Sequence, residues 1–232
     1  MKIMSFNTQH CLNYRTQEID FALMAQTVRS CGADIVGLNE MRGLGPMEGY
    51  THQVPELSAL TGLKHFYFAE AIRIDGENPY GNGLLSRYPI VNAQTVPIPD
   101  PEPKAYSGYY ESRCLLKARL EGGITVLVCH FGLNPDEQRN AVSTVIANLE
   151  TEKCILMGDF NVLPEDPVLL PIRRRMKDAA ELFSQPLGSY PSDSPDRKID
   201  YIFVTPDVQL LEADIPAIVA SDHRPHTATV QF

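Results

Sequence analysis

Residues 156–161 read Leu-Met-Gly-Asp-Phe-Asn, an apolar run that stops abruptly at an acid and an amide. The apolar part is typical of a buried strand. We expect Gly158 to let the backbone turn where the strand ends, so that Asp159 and then Asn161 project the same way. A carboxylate and an amide placed there suit a water nucleophile or a hard cation. An ordinary Asx turn after a strand is the alternative interpretation of the same residues.

Four other apolar runs end in the same manner. In each case the next residues can bind a metal or transfer a proton. Five strand-like runs with such endings indicate one site, built at the edge of one system of sheets. The other four runs are 3–6 before Asn7, 34–38 before Asn39 and Glu40, 125–129 before His130, and 217–220 before Asp222 and His223.

The adjacent residues Asp222 and His223 are followed closely by Pro225, which favours an extended backbone. Neighbouring side chains on an extended segment diverge, so we expect one to hold a metal and the other to meet a second carboxylate. Asp200 begins a strand-like run, and a buried acid there needs a partner such as a histidine. A polar turn with a surface histidine and an unpaired acid on an edge strand are the alternatives.

Asn7 and Glu40 each follow a buried strand and offer oxygen ligands of the kind that Mg²⁺ and Mn²⁺ prefer. A cap of a helix or turn would explain Glu40 equally well. His130 ends its apolar run either as a catalytic group or as a histidine at the edge of the core that bonds to the backbone. No motif of a serine hydrolase, a nucleotide-binding loop, a zinc protease or a dinucleotide fold competes with this site.

The bulk composition restricts the class of protein. A chain of 232 residues with 44% hydrophobic and 21% charged residues can bury a core, and we expect one domain over 1–232. The net charge of −9 argues against tight nucleic-acid binding without metal. The five cysteines are widely spaced, so we expect reduced thiols. The N-terminus has no apolar leader and no run approaches ~18 apolar residues, which favours a cytoplasmic protein without a membrane partner.

The periodicity predicts an α/β or α+β architecture of two packed sheets flanked by helices. Residues 97–103 contain four prolines and are expected to form a loop at the edge of the domain. Gly81-Asn82-Gly83 is expected to form a tight turn whose Asn82 could face a ligand. The predicted helices are 17–31, 55–62 and 135–149, and the predicted strands are 2–6, 34–38, 65–74, 82–88, 114–120, 124–129, 154–157, 200–204 and 228–232.

Taken in order, the motifs FN, NE, GNGLLSRYP, the lone His130, GDFN, IDYIF and SDHRP resemble the endonuclease/exonuclease/phosphatase superfamily, whose members include pancreatic-type deoxyribonucleases. The resemblance spans the chain from Asn7 to His223. It implies a four-layer α/β/β/α sandwich of two packed mixed β-sheets with one or two Mg²⁺ or Mn²⁺ ions. It also implies that Asn7 and Glu40 bind the principal ion, with Asp222 nearby.

The same resemblance implies catalytic roles for five residues. Asp159 would orient or deprotonate the attacking water, helped by Asn161. His223 would pair with Asp200 and contact the scissile phosphate, and His130 would stabilise the phosphate or protonate the leaving oxygen. The implied activity is metal-dependent hydrolysis of a phosphate ester, by a phosphodiesterase or phosphatase. An endonuclease or exonuclease acting on DNA or RNA is the alternative, and a non-catalytic binding protein on the same fold is a third hypothesis.

Substrate selection is expected in residues 97–113. Arg113 could hold phosphate oxygens together with Lys104, and Tyr109 could stack on a base or sugar together with Tyr106 and Tyr110, although packing within the loop explains the tyrosines as well. The run 173–175 of three arginines could touch a nucleic-acid backbone or lie on a solvated helix face. We expect a phosphorylated small molecule or a nucleic acid as substrate, and a monomer without a stable protein partner.

Overall fold

The computed structural model describes all residues from 1 to 232 and contains twelve strands and four α-helices. The helices are α1 (Phe21–Cys31), α2 (Gln53–Thr61), α3 (Pro135–Asn148) and α4 (Leu170–Arg173). The strands are β1 (Lys2–Asn7), β2 (Ile35–Arg42), β3 (His65–Ile74), β4 (Asn78–Ser86), β5 (Ile90–Pro97), β6 (Cys114–Leu120), β7 (Thr125–His130), β8 (Cys154–Asp159), β9 (Lys177–Asp178), β10 (Asp200–Val204), β11 (Gln209–Asp214) and β12 (His226–Gln231).

The strands form two sheets of six. The first sheet has the order β11-β12-β1-β2-β4-β3, and the second has the order β5-β6-β7-β8-β10-β9. Both sheets are mixed, because β1 runs parallel to β2 and β7 runs parallel to β8 while the other pairs are antiparallel. In each sheet a parallel pair therefore lies near the centre, and the carboxyl ends of its strands share one edge.

Apolar side chains fill three layers between these elements. Ile3 and Leu84 of the first sheet belong to one buried cluster with Val128 and Met157 of the second, so the two sheets pack face to face. Helices α1 and α2 cover the outer face of the first sheet, and α3 and α4 cover that of the second. The layers therefore follow the order helix, sheet, sheet, helix, and the predicted four-layer α/β/β/α sandwich is confirmed.

Strands β5, β9 and β11 and the four-residue helix α4 are the elements that the sequence did not predict, and each of these strands lies at an open edge of its sheet. Edge strands are half-exposed, and β5 and β11 lack a regular apolar alternation. The first predicted helix begins later than expected, at Phe21, because the side chain of Asp20 accepts a hydrogen bond from the Leu23 amide at 2.9 Å and caps it.

The expected tight turn at residues 81–83 is wrong, since these residues lie inside β4. A Cβ atom on Gly81 would stand 2.0 Å from the carbonyl oxygen of Ala69 on β3, so glycine is required there by close approach of two strands and not by a turn. All five cysteines are buried free thiols. No helix combines the length and the apolar character that a membrane span needs.

Candidate active site

Four polar residues continue the inward-facing alternation of their strands at one edge of the sandwich. Asn7, His130 and Asp159 end β1, β7 and β8, and Asp200 begins β10. His130 lies opposite Asp159 on the parallel neighbour, and Asp200 lies opposite Asp159 on the antiparallel neighbour. The directions of the strands therefore bring together, at one edge, side chains as distant in the sequence as Asn7 and Asp200.

The carboxylate of Asp159 lies at the centre of the site and is 1% exposed. Its Oδ2 accepts a hydrogen bond from Asn7 Nδ2 at 3.0 Å, and its Oδ1 accepts one from the Asn161 amide at 2.9 Å. Nε2 of His130 and Nε2 of His223 lie 3.5 Å and 3.6 Å from Oδ2. Burial raises the pKa of Asp159, against the opposing charge of His223. Asp159 therefore forms an Asx turn with the Asn161 amide and also lies at the centre of the site, so the two interpretations of its sequence do not exclude each other.

The structure brings together Asp200 and His223, whose Oδ2 and Nδ1 atoms are 2.8 Å apart. Both side chains are almost fully buried, and the ring of Tyr190 packs on the imidazole at a centroid distance of 4.8 Å. Burial alone would lower the pKa of His223, but the carboxylates of Asp200 and Asp159 outweigh it and raise that pKa to about 10. At neutral pH His223 is therefore an imidazolium held between two acids.

Glu40 and Asp222 add two more carboxylates. Oε1 of Glu40 accepts a hydrogen bond from Asn7 Nδ2 at 2.9 Å. Glu40 has a φ of 62°, a conformation that costs a non-glycine residue energy, at a bulge in β2 between Leu38 and Met41. Burial raises the pKa of Asp222, and the charge of Glu40 adds to the rise against the opposing effect of His223. Asp222 and His223 thus serve different partners, as their adjacency predicted.

Two groups of side chains are candidates to hold a cation. The ligand atoms of Asp159, Asp200 and His223 all lie within 4.8 Å of one another. In that group, however, both ring nitrogens of His223 already face carboxylates, with Nδ1 2.8 Å from Oδ2 of Asp200 and Nε2 3.6 Å from Oδ2 of Asp159. Glu40 and Asp222, which are in electrostatic range of each other, offer carboxylate oxygens that suit a hard divalent ion. The Oδ1 atom of Asn7 accepts a hydrogen bond from the Gln9 amide at 3.0 Å and has a second lone pair for the ion. We therefore assign the better fit to the second group.

His130 is held by an arginine. Nη1 of Arg113 lies 2.9 Å from His130 Nδ1 and 2.8 Å from Oε1 of Glu111. A guanidinium can only donate, so Nδ1 must accept and the proton of a neutral His130 lies on Nε2, facing Asp159. Burial lowers the pKa of His130 well below its ordinary value, and the charge of Arg113 acts in the same direction. Nδ2 of Asn161 is 3.2 Å from this Nε2 and donates to the Phe131 carbonyl.

The sequence profile described as the Endonuclease/Exonuclease/phosphatase family matches residues 4–223. The chain belongs to this family. Its members include phosphatases, phosphodiesterases and nucleases, which hydrolyse phosphoester bonds and generally depend on divalent metals. A comparison with curated proteins gives no match.

Solved structures of low sequence identity share the fold. A family member from Beutenbergia cavernae has a TM-score of 0.79 at 21% identity, covering 100% of this chain and 71% of its own. The mannosyl-6-phosphatase of Bacteroides thetaiotaomicron has a TM-score of 0.77 at 17% identity and covers 100% of both chains. The human Nocturnin catalytic domain with bound sulfate has a TM-score of 0.70 at 14% identity, covering 100% of this chain and 94% of its own.

The three residues predicted to bind substrate lie in different surroundings. Asn82 is 2% exposed, and its side chain bridges Asn39 and the Cys114 carbonyl inside the sandwich. Arg113 is largely buried with its guanidinium directed to His130 and Glu111. Tyr109 is 65% exposed on the loop before β6, so it is the one of the three that faces solvent. Lys104 lies over the ring of Tyr110, at 4.8 Å from its centroid.

Sequence reasoning assigned no role to Asn39, although it belongs to the same strand-end pattern as Glu40. Its Oδ1 accepts a hydrogen bond from the Asp159 amide at 3.0 Å, and its Nδ2 donates to Asn82 Oδ1 at 2.8 Å and to the Cys129 carbonyl at 3.2 Å. Asn39 therefore joins the first sheet to β7 and β8 of the second and fixes the backbone of Asp159. Its burial between the two sheets is the feature that indicates this role. That burial follows from the tertiary fold and is not visible in the sequence.

The predicted role of Gly158 as a turn residue is wrong. Gly158 lies inside β8 with a φ of 146°, and a Cβ there would stand 1.8 Å from the carbonyl oxygen of Cys129 on β7. The glycine therefore permits close approach of the two parallel strands that carry His130 and Asp159. The change of direction comes later, at Asn161, where φ is 52°.

Proposed function

We propose that this family member is a Mg²⁺- or Mn²⁺-dependent hydrolase of phosphate esters. The observation that carries the proposal is the buried arrangement in which Asp159 lies among Asn7, His130 and His223, with Asp200 behind His223. A catalytic group needs fixed neighbours that do not reorganise during reaction, and rigid strand ends supply them.

Asn7 and Glu40, with Asp222 beside them, are the residues that would hold the ion. Their oxygens match the ligand preference of Mg²⁺ and Mn²⁺. A bound ion would neutralise charge on the phosphoryl oxygens and help to acidify a water molecule. Burial and the charge of Glu40 both raise the pKa of Asp222, against the opposing charge of His223, and a cation between these two carboxylates would relieve that repulsion.

The remaining residues would position the water and the phosphate and would transfer protons. Asp159, whose pKa is raised by burial, is the base that would orient and accept a proton from water, with Asn161 as a neighbouring donor. His223 would offer its positive charge to a phosphoryl oxygen while Asp200 fixes its ring. His130 would present an Nε2–H to the phosphate or leaving oxygen. Each such acid or base group contributes about 10²–10⁴-fold to rate.

A small phosphorylated molecule is the substrate class that the charges favour. The net charge is −9, whereas binding to a nucleic-acid backbone uses basic surface. In the arginine run, Arg173 is engaged by the Pro164 carbonyl and Asp178, and Arg175 by the Pro171 carbonyl. The shared fold with a protein named as a mannosyl-6-phosphatase supports a phosphomonoester. Nuclease activity is the second candidate, and His130 is the feature that favours it.

The test is a comparison of substrates with Mn²⁺ present. We expect purified protein to hydrolyse p-nitrophenyl phosphate, its bis ester or members of a panel of sugar phosphates and nucleotides. We expect Asp159→Asn to lose that turnover, while the exposed control Asp75→Asn keeps it. Equal turnover by wild type and Asp159→Asn would remove the proposal. Cleavage of plasmid or single-stranded RNA, without hydrolysis of the small esters, would favour nuclease activity instead.

A further inference from the structure

A cavity of about 890 Å³ opens beside the residues that precede β10. It lies between the loop that follows Asn161, the segment 178–188 and the segment 195–198, and none of the residues assigned above to catalysis or metal binding lines it. Its volume falls in the range of about 300–1,000 Å³ that is usual for small-molecule sites. Lys198, Arg173 and Asp178 line it together with the apolar side chains of Phe183 and Leu187.

Lys198 is a buried cation whose charge has no carboxylate partner. It is 8% exposed, and the only hydrogen bond of its side chain runs from Nζ to the Asp200 carbonyl at 3.2 Å. The ammonium also lies 3.4 Å from the centroid of the Tyr201 ring, which stabilises a cation but supplies no anion. An ammonium has three N–H donors, so this lysine retains unused donor capacity beside the cavity.

None of the acids around the cavity forms an ion pair with Lys198, although the charge of Asp178 acts on it from a distance. Asp178 is buried, but its Oδ2 accepts from Arg173 Nη2 at 3.4 Å and its Oδ1 accepts from the Ala180 amide at 2.9 Å. The other three acids of the lining, Glu165, Glu181 and Asp196, are exposed at the rim. The one buried carboxylate of the lining is therefore already bonded to the exposed Arg173 and to a backbone amide. Burial lowers the pKa of Lys198 to about 8, against the opposing charges of Asp178 and Asp200.

We propose that this cavity binds a small organic anion, whose oxyanion group accepts hydrogen bonds from Lys198 and whose apolar body lies against Phe183 and Leu187. A carboxylate or a phosphoryl group satisfies the same requirement, because lysine binds either as a point charge. The site is separate from the proposed hydrolytic centre, and its occupation does not require that the protein hydrolyse anything.

The experiment is a binding titration of the full chain without metal, by ligand-observed NMR and calorimetry. The probes are phenylacetate, benzylphosphonate and the neutral benzyl alcohol. We expect saturable binding of phenylacetate at millimolar concentrations and no comparable binding of benzyl alcohol. Lys198→Met should weaken binding by about tenfold or more, which corresponds to loss of a charge-assisted hydrogen bond. Lys64→Met, which removes an exposed lysine remote from the cavity lining, should leave it unchanged.

A second variant protects the test if Lys198→Met does not fold. Ser184 is exposed at the rim of the cavity, and Ser184→Phe should obstruct the cavity and weaken binding without disturbing the core. Binding of both acids would identify a general oxyanion site, and binding of one alone would identify its preferred group. The proposal is overturned if wild type binds neither acid, if benzyl alcohol binds equally well, or if the two cavity variants bind the acids as tightly as Lys64→Met.

Discussion

Replacement of Asp200 by asparagine isolates the charge behind His223 while keeping the shape of the side chain. Asp200 is fully buried, and its Oδ2 lies 2.8 Å from His223 Nδ1. An amide in this place can still accept a hydrogen bond from Nδ1 but cannot stabilise a positive imidazole ring. The substitution should therefore lower the pKa of His223 and leave the fold intact.

The size of the effect follows from the contact. A hydrogen bond to a charged group contributes about 1.5–3 kcal/mol. At about 1.4 kcal/mol per pKa unit, its loss should lower the pKa of His223 by about one to two units. If His223 acts on the phosphate as an imidazolium, kcat should fall by about 10²-fold or more, within the range for loss of one oriented acid–base group. KM should change less, because the ring still occupies the same volume.

The same pair makes stability depend on pH. The pKa of His223 is raised from 6.5 to about 10, so protonation favours the folded state. This contribution to the free energy of unfolding is complete below pH 6.5 and is lost as the pH rises through about 10. In Asp200→Asn this contribution to the free energy of unfolding should be smaller, and it should be lost completely at a lower pH than in the wild type.

Three measurements check this prediction. NMR titration of the His223 ring gives its pKa, steady-state kinetics with Mn²⁺ give kcat and KM, and urea unfolding at several pH values gives the stability. Asp75→Asn, at an exposed turn, is the matched control. An unchanged His223 pKa would refute the electrostatic reasoning, and a lowered pKa with unchanged kcat would refute the assigned catalytic role.

Three further predictions test other parts of the site. Gly158→Ala should lower the free energy of unfolding by more than about 4 kcal/mol, because its Cβ would stand 1.8 Å from the Cys129 carbonyl oxygen; a variant of normal stability in chemical denaturation would contradict this. Arg113→Met should release Nδ1 of His130, so that the ring proton is shared between both nitrogens; ¹⁵N NMR reports the tautomer, and an unchanged spectrum argues against the assignment. Glu40→Gln should reduce the rise in Tm that Mn²⁺ produces in the wild type, and equal rises in both proteins would exclude Glu40 as a ligand.

Much of the fold was predictable because its central strands are locally encoded. The apolar runs before Asn7, Glu40, His130 and Asp159 are short, buried and continuous, so both their existence and their polar ends can be read along the chain. The edge strands β5, β9 and β11 escaped prediction because an exposed strand needs no regular apolar alternation.

The two wrong turn predictions, at residues 81–83 and at Gly158, have a common cause. Asn82 and the glycines at 81 and 158 lie where two strands approach closely, and a turn motif in the sequence has the same composition as such a contact. The guanidinium of Arg113 contacts His130 and Glu111, and its contact with a phosphate stays a prediction. Which atom a charged side chain reaches depends on the neighbouring strand, and that neighbour is not visible locally.

The local sequence specifies which side chains can carry out chemistry and that they end buried strands. The alternation of apolar residues along each strand sets which face is buried, and that information is contained in a few consecutive positions. Contacts between these side chains depend on the assembled fold, because strand order and register join segments as distant as Asn7 and Asp159. Hydrogen-bond partners, buried charge and the resulting pKa shifts all arise from those contacts. The same is true of Lys198, whose buried ammonium is hydrogen-bonded to a carbonyl and to no carboxylate.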